Sequence, residues 1–541
     1  MKKTITLSLL LLAALQHKAQ ITPSWVKFTG PSNYANYDVK EVTTGVDSLG
    51  NIYTAASALD TINSLNKGML VKYNPSGVQQ WIQYYDDIST AGFNGTFIVK
   101  ILVDKAGNSY LCGYGVHNAL SSKDFMLAKY NNAGVQQWIK YWDGGQNERD
   151  YVSCATFDKA GNIIIAGNAN FQGANQYDIA AVKFTTSGTQ VWNYLYNNAA
   201  VNLDDNAYDV ATDMSNNVFI TGNTYGVSAR DMVTIKLNST GINQWTKIIA
   251  HSSGSNDEYG YGITTDNIGN AYVTGALNDW TTIKYDVSGN VVWTNHQPTA
   301  ALNRFTQKKV MLDRANNVII AGDAFYVGPL FSELEVNKLN NTTGATIWTT
   351  HHNFGGIDNF TDAKLDTSNN IYLSGYFEGP LSSDISSMVL NPMGVVTWTA
   401  SYTNPTLAAG GDRTCELVLD NNKNIILVGT SERRGSISQD AVDVFTLKYN
   451  AAIVNVKEIN NNKIDVSIYP NPSNSLLNIK INSSINDYKI EIVSITGQSV
   501  FTKNYSILSP IIDISSFSNG VYFLNISQNN IIISSSKIIK H

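Results

Sequence analysis

The chain has 541 residues, 43% hydrophobic and 15% charged, with 40 Gly against 11 Pro. That composition belongs to globular proteins and excludes both disorder and a collagen-like fibre. A net charge of −6 leaves no clustered basic field, so nucleic acid and anionic lipid surfaces are excluded as partners.

In chain order, Lys2 and Lys3 precede an apolar run from Ile5 to Leu15. At about 1.5 Å per residue this run is too short to span a bilayer but fits the core of a signal peptide. Residues 1–20 therefore read as a signal for export. Ala19 is small, whereas His17 is large where a second small residue is expected, so the cut is not placed to the residue. No Cys follows the run and no later stretch reaches spanning length, which predicts a soluble mature chain without a lipid anchor or transmembrane segment. Cys112, Cys154 and Cys415 are odd in number and lie in apolar strand-like runs; buried thiols are expected, not a disulfide framework.

A unit of about fifty residues then recurs. Asp is followed four residues later by Asn and nine later by Gly at Asp104, Asp158, Asp213, Asp266, Asp313, Asp366 and Asp420, and Asp47 makes an eighth case with Ala56 in the Gly position. Successive Asp residues lie 57, 54, 55, 53, 47, 53 and 54 apart, so insertions fall between the ten-residue cores. Such rigidity predicts a tight turn. The residue before each Asn is Gly, or Asn at 216, 316 and 369, or Lys423. All but the last enter left-handed backbone cheaply, and the Asp carboxylate can close the bend on amides two residues on. The turns lack the alternating carboxylates of a calcium loop.

After each turn comes a run such as Ile163 to Ala166 or Ile425 to Val428, apolar on both faces, as in a sheet packed between two others. A third strand follows, opened by an acidic residue five before a Lys (Asp124/Lys129, Asp178/Lys183, Asp231/Lys236, Asp279/Lys284, Glu333/Lys338, Asp443/Lys448). A Gly turn then leads to a fourth strand with Trp81, Trp138, Trp192, Trp245, Trp293, Trp348 or Trp398. The last unit lacks its Trp strand, while Trp25 stands near the start without a unit. Pairing them removes exposed edges. The expected fold is all-β: an eight-bladed β-propeller over 21–454 closed by the N-terminal strand, then a linker at 455–464. The repeat resembles the bacterial propeller repeats with an Asp-x-x-Gly-Asn turn. Its departures are Ala56, Lys423, and Ser387-Met388-Val389-Leu390 where a Lys is expected.

Beyond Asn455, Trp disappears and Ile, Ser and Asn dominate. Short runs at 466–468, 477–481, 489–495, 499–502, 511–514, 521–526 and 531–533 predict a small immunoglobulin-like β-sandwich over 465–541. The segment resembles the C-terminal sorting domain of the type IX secretion system of Bacteroidetes, through Tyr469-Pro470-Asn471-Pro472, Gly497-Gln498, Gly520-Val521-Tyr522, and the terminal Lys537 and Lys540. The resemblance implies the secretion machinery as a partner. It also implies Sec export to the periplasm, then passage through the outer membrane with release or attachment at the cell surface.

No metalloprotease, serine-hydrolase or phosphate-loop motif occurs, and no catalytic residue, metal or cofactor is predicted. Polar clusters between each Trp strand and the next unit converge on one propeller face, and many Tyr fall there. Asp205, Tyr208, Asp257, Glu258, Tyr259 and Tyr261 are the candidate ligand-binding residues, since aromatic rings offer stiff stacking surfaces beside polar groups. The expected role is non-catalytic binding of a glycan or a protein. A secreted carbohydrate-active enzyme using paired acidic loop residues and a structural or adhesive surface component are the alternatives.

Overall fold

The repeated Asp builds its turn through both carboxylate oxygens. In the first unit, Asp47 Oδ1 accepts the backbone N–H groups of Leu49 and Asn51, each at 2.9 Å, and Oδ2 accepts Asn51 Nδ2 at 2.7 Å. The same three bonds recur at the other seven turns, for example at Asp158 and Asp420. The residue before each Asn is left-handed, with φ of 79° at Gly50 and 62° at Lys423, so the turn chemistry read from the sequence is the chemistry found.

The structure is a computed structural model. It describes residues 22–29, 42–60, 65–85, 95–116, 123–145, 148–171, 176–198, 203–226, 229–250, 257–277, 279–297, 302–326, 331–379, 383–404, 411–432, 442–450, 466–481, 485–494, 499–528 and 531–541. The signal-peptide and linker readings, at 1–20 and 455–464, lie outside these. Two compact units divide the chain, Met1–Val454 and Asn455–His541.

The first unit is all-β and has the four-stranded antiparallel sheets of a β-propeller. After strand β1 (Trp25–Thr29) come β2–β5 (42–85), β6–β9 (97–142), β10–β13 (151–196), β14–β17 (206–249), β18–β21 (259–297), β22–β25 (302–352), β26–β29 (357–402) and β30–β32 (412–449). One parallel bridge, Ser332 to Ile357, joins the sixth and seventh sets. β1 pairs with β32 (Val442–Tyr449) from Trp25 opposite Lys448 to Thr29 opposite Val444, so strands from the two ends of the unit share a sheet. The second strand of each sheet is its hydrophobic centre. Ile163 to Ala166 are fully buried, as their unbroken apolar character demands.

Each fourth-strand Trp couples its sheet to the next. Trp81, Trp192, Trp245, Trp293 and Trp348 donate Nε1 to a carbonyl in the following sheet's Gly turn, at Asn132, Ser239, Val287, Asn341 and Pro392. The indole lies against the turn Gly so closely that a Cβ at Gly134 would stand 2.7 Å from Trp81. Trp25 does the same to the first sheet, donating to Pro75 at 3.3 Å and covering Gly77. Trp398 alone faces no such turn, because the last sheet takes its fourth strand from the start of the chain. Its buried Nε1 has no hydrogen-bond partner among the described residues, and its ring packs edge-on to Tyr449.

The third-strand Lys serves the turn Asp in two ways. Where the second strand presents Ile164, Ile319 or Ile426, the ammonium reaches the carboxylate directly: Lys183–Asp158 at 2.7 Å, Lys338–Asp313 at 2.8 Å, Lys448–Asp420 at 2.9 Å. Where it presents Tyr53, Tyr110 or Tyr272, the phenol donates to the Asp and the Lys lies over the ring, 5.1 to 5.2 Å from its centroid. The seventh sheet has Val389 in the Lys position. There the second-strand Tyr372 donates its phenol to Asp366 at 3.2 Å, and Lys423, from the next sheet's turn, supplies the cation at 3.0 Å. Two departures from the repeat thus compensate each other.

The second unit packs a three-stranded sheet, β33 (Val466–Tyr469), β34 (Leu476–Ile481) and β37 (Ile511–Asp513), against a four-stranded one. The latter runs in the order β36 (Ser499–Tyr505), β35 (Tyr488–Ser494), β38 (Gly520–Gln528), β39 (Ile531–Lys540). Ile479, Tyr488, Ile490, Ile492, Leu524, Ile526 and Ile538 fill the space between. The fourth strand pairs beside the third instead of joining the first sheet as in constant-type immunoglobulin order. Asn471 holds the final strand, donating Nδ2 to Lys537 O at 2.7 Å and accepting Ile539 N–H at 2.9 Å. Gly497 lies outside the described residues.

Burial raises the carboxyls of Asp158, Asp313 and Asp366, but hydrogen bonds from Lys183, Lys338 and Lys423 outweigh it and hold all three below the usual range. Their stabilisation is present above about pH 4 and is lost as pH falls through the lowered values. Lys423→Gly relieves the left-handed backbone but strips Asp366 of its cation. It should cost about 1–2 kcal/mol in urea denaturation. Asp366 keeps the Tyr372 phenol, so adding Val389→Lys should recover part of that loss by laying an ammonium over the Tyr372 ring as in the other phenol sheets; a double variant no more stable than the single would contradict a cation requirement at this turn.

Candidate functional site

The first strand of a sheet lies innermost, and one irregularity decides what it points inward. In β6 (Phe97–Val103) the register slips between Ile98 and Lys100; in β10 (Tyr151–Phe157), between Val152 and Cys154; in β14 (Asn206–Thr212), between Ala207 and Asp209. Equivalent bulges stand in β18 (Tyr259–Thr265), β22 (Leu302–Leu312), β26 (Ile357–Leu365) and β30 (Asp412–Leu419), just before Gly262, Lys309, Asp362 and Glu416. The Gly of the repeat sits across from each. A Cβ at Gly113, Gly222 or Gly429 would stand within 1.8 to 1.9 Å of a carbonyl oxygen on the bulged strand. The repeat Gly therefore belongs to this bulge and not, as its spacing suggested, to the turn. β2 (Val42–Val46) pairs without a slip, and its partner carries Ala56.

Two cavities collect these side chains. One, of about 370 Å³, is lined by Thr43, Lys100, Lys309, Asp362, Cys415 and Glu416. The other, of about 620 Å³, is lined by Lys100, Cys154, Tyr208, Asp209, Tyr261, Lys309 and Lys364 among others. Between them they draw on the first strand of every sheet of the unit. Six charges meet at the waist. Asp362 pairs with Lys364 at 2.7 Å and Lys309 at 3.3 Å and accepts the amide of Leu417. Glu416 is in direct contact with Lys100 and accepts Thr43 Oγ1 at 2.7 Å. Asp209 accepts the amides of Val210 and Ile263.

Burial would raise Asp362 and Glu416, but Lys309, Lys364 and Lys100 hold them below the usual carboxylate range. The Asp362 charge in turn raises Lys309. Burial lowers Lys364 and pushes Asp209 up. Sequence reasoning named Asp362 only as one of the acidic loop residues and missed the other five. A signal existed: each post-bulge residue lies 13 before the repeat Gly, and a charge there, in a strand otherwise buried, has no packing reason.

The candidate residues read from the sequence divide into two groups. Tyr259 and Tyr261 stack, centroids 5.5 Å apart and planes within 10°, with Tyr208 at 6.2 and 6.0 Å from them. Tyr208 and Tyr261 line the larger cavity. Tyr259 Oη accepts from Arg230 at 3.4 Å and donates to Asp257 at 3.0 Å, and Arg230 pairs with Asp257 at 3.5 Å. Asp205 and Glu258 are fully buried. Asp205 accepts Thr224 Oγ1 at 2.5 Å and the amides of Asn198 and Tyr225, while Glu258 N–H bonds to Arg230 O at 2.8 Å.

Asp150, Asp358 and Asp412 repeat this loop-closing role on the amides of Gly144, Phe354 and Asn404. Adjacent acidic loop residues such as Asp204 and Asp205 thus do not offer two carboxylates to one cleft. Oxygens of Asp124, Asp143 and Asp150 lie within 4.8 Å of one another, and Asp150 there binds the amides of Gly144 and Asn170.

Burial, with Asp205 and Asp204 nearby, pushes Asp178 up to about 7. A raised carboxyl contributes stability below about pH 4 and loses it as pH rises through its folded value. Asp178→Asn should therefore raise the melting temperature at pH 8, by the equivalent of about 1–3 kcal/mol, and little at pH 5. An equal effect at both would contradict the assignment.

Family models match two parts of the chain: the secretion system C-terminal sorting domain at residues 467–541 and the beta-propeller repeat at residues 244–276. The chain is a propeller protein with a type IX sorting tail, and that tail implies secretion or a cell-surface location. No curated protein matches it. Among solved structures it is similar to quinohemoprotein alcohol dehydrogenase from Comamonas testosteroni (10% identity, 79% of this chain and 76% of that chain, TM-score 0.48). It is also similar to PorZ, a surface component of the type-IX secretion system of Porphyromonas gingivalis (11%, 93% and 81%, TM-score 0.28). An ulvan lyase, a polysaccharide lyase, is a third (12%, 77% and 95%, TM-score 0.44). At these values no residue role transfers.

Proposed function

We propose that the chain is a secreted or cell-surface binding protein: an eight-bladed propeller closed by β1, exported through Sec and the type IX machinery, that holds a glycan without turning it over. Domains run 1–20 as signal, 21–454 as propeller, 455–464 as linker and 465–541 as an immunoglobulin-like sorting sandwich with a switched fourth strand. The observation that carries the binding role is the Tyr259–Tyr261 stack, with Tyr208 and Tyr261 in the lining of the larger cavity. Flat aromatic rings suit the apolar face of a pyranose, and Arg230 and Asp257 supply hydrogen bonds beside them. Neighbouring acidic loop residues are divided between buried loop closure and surface, which favours binding over hydrolysis by those pairs.

Two experiments test the proposal. Deleting residues 465–541 should leave the propeller in the periplasm; unchanged surface or culture-medium recovery would refute sorting by this tail. On a glycan array, the full chain should show a saccharide ligand that Tyr261→Ala weakens about five- to ten-fold. Silence on the array, or binding indifferent to Tyr261, would refute the glycan site.

A further inference from the structure

The larger cavity and its neighbour do not share the waist charges evenly. Lys100 and Lys309 line both, but Asp362 and Glu416 line only the smaller one, whereas Lys364 lines only the larger. Side-chain exposure divides in the same way: Lys100, Lys309 and Lys364 are 31%, 35% and 29% exposed, against 8% for Asp362 and 10% for Glu416. The larger cavity is thus lined by three lysines and a single acidic residue, Asp209, whose charge burial disfavours. This concentration of cations stands in a chain of net charge −6. Tyr208 and Tyr261 line the same cavity, whose volume of about 620 Å³ falls within the range of small-ligand sites.

The geometry points to an anion pocket for an acidic sugar: a uronate carboxylate or sugar sulfate enters the larger cavity toward Lys100, Lys309 and Lys364 while its ring rests on Tyr261 and Tyr208. This deepens the glycan-binding reading and rests on it. Nearby carboxylates already neutralise part of each Lys charge, so the pocket is tuned to one anionic group at the end of a chain and not to a polyanion along its length. Partly buried ammonium groups bind an anion more strongly than fully exposed ones do, and a neutral sugar in the same place offers them no charge.

Titration calorimetry of the full chain with a β-1,4-linked glucuronate tetrasaccharide and with cellotetraose tests this, because the two differ only in the oxidation of C6. The acidic sugar should bind at least about ten-fold tighter. Lys309→Gln, which leaves Asp362 paired with Lys364, should erase most of that preference by weakening the glucuronate far more than cellotetraose. Asp209→Asn, which removes the one carboxylate lining the cavity, should move the preference the opposite way and covers the case of a poorly folding Lys variant. Tyr261→Ala should weaken both sugars.

Equal binding of the two sugars, or a preference untouched by both Lys309→Gln and Asp209→Asn, overturns the anion pocket while sparing the glycan site. Inorganic sulfate separates the opposite failure. If it raises the melting temperature of the wild type but not of Lys309→Gln while neither sugar binds, the anion pocket stands and the glycan reading falls. Absence of any response to sulfate or sugar overturns both.

Discussion

On six of the seven bulged inner strands a carbonyl oxygen occupies the space where the opposing residue's Cβ would stand, and only glycine leaves that space open. At Gly222 the intruding oxygen belongs to Asn206, 1.8 Å from the would-be Cβ. The slip that this permits inserts one residue into the inner strand and re-aims the residue after it. Seven first strands contain it, and in five of them the re-aimed residue is charged. The chemistry at the heart of the propeller therefore depends on a backbone clash avoided, sheet by sheet. Where the slip is missing, in β2, the constraint lifts and Ala56 takes the place.

The same logic of local constraint and neighbour response runs through the outer parts of the unit. Six repeat Trp residues find a carbonyl in the next sheet's turn; Trp398, which meets the sheet completed by β1, has an orphaned Nε1 among the described residues. Most turn Asp residues meet an ammonium or a phenol, and at Asp366 both arrive, Tyr372 from its own sheet and Lys423 across the sheet boundary. Stability is in this way distributed over interfaces between consecutive sheets, as in other repeat architectures. That leaves the inner strands free to carry dissimilar residues without loss of the scaffold.

Much of this is legible in the sequence. The Asp-to-Asn spacing specifies the turns because the hydrogen bonds are local, within four residues of chain. The Trp25 and Lys448 halves specify each other because an unpaired strand end is costly. The seven runs of the C-terminal unit coincide with its seven strands. Legibility fails where the cause is not local. The repeat Gly reads as part of the turn that precedes it, although its reason is a carbonyl on a different strand. Asp205 and Glu258 look like surface carboxylates because sequence does not reveal that the loop folds over them. The waist charges escape a linear reading because Lys100 and Glu416 meet across 316 positions of chain, and only a closing set of sheets brings them together.

That meeting is also the most direct test of the account. Native full-length protein treated with a water-soluble carbodiimide, which joins an amine to a carboxylate only when the two already touch, can be digested and its cross-linked peptides read by mass spectrometry. An isopeptide between Lys100 and Glu416 is the predicted product, since it requires β6 and β30 to converge on one axis with β2 between them. Lys100 found joined only to carboxylates of its own or the adjoining repeat, with Glu416 unmodified by any lysine, would contradict the closed arrangement and the cavity built on it.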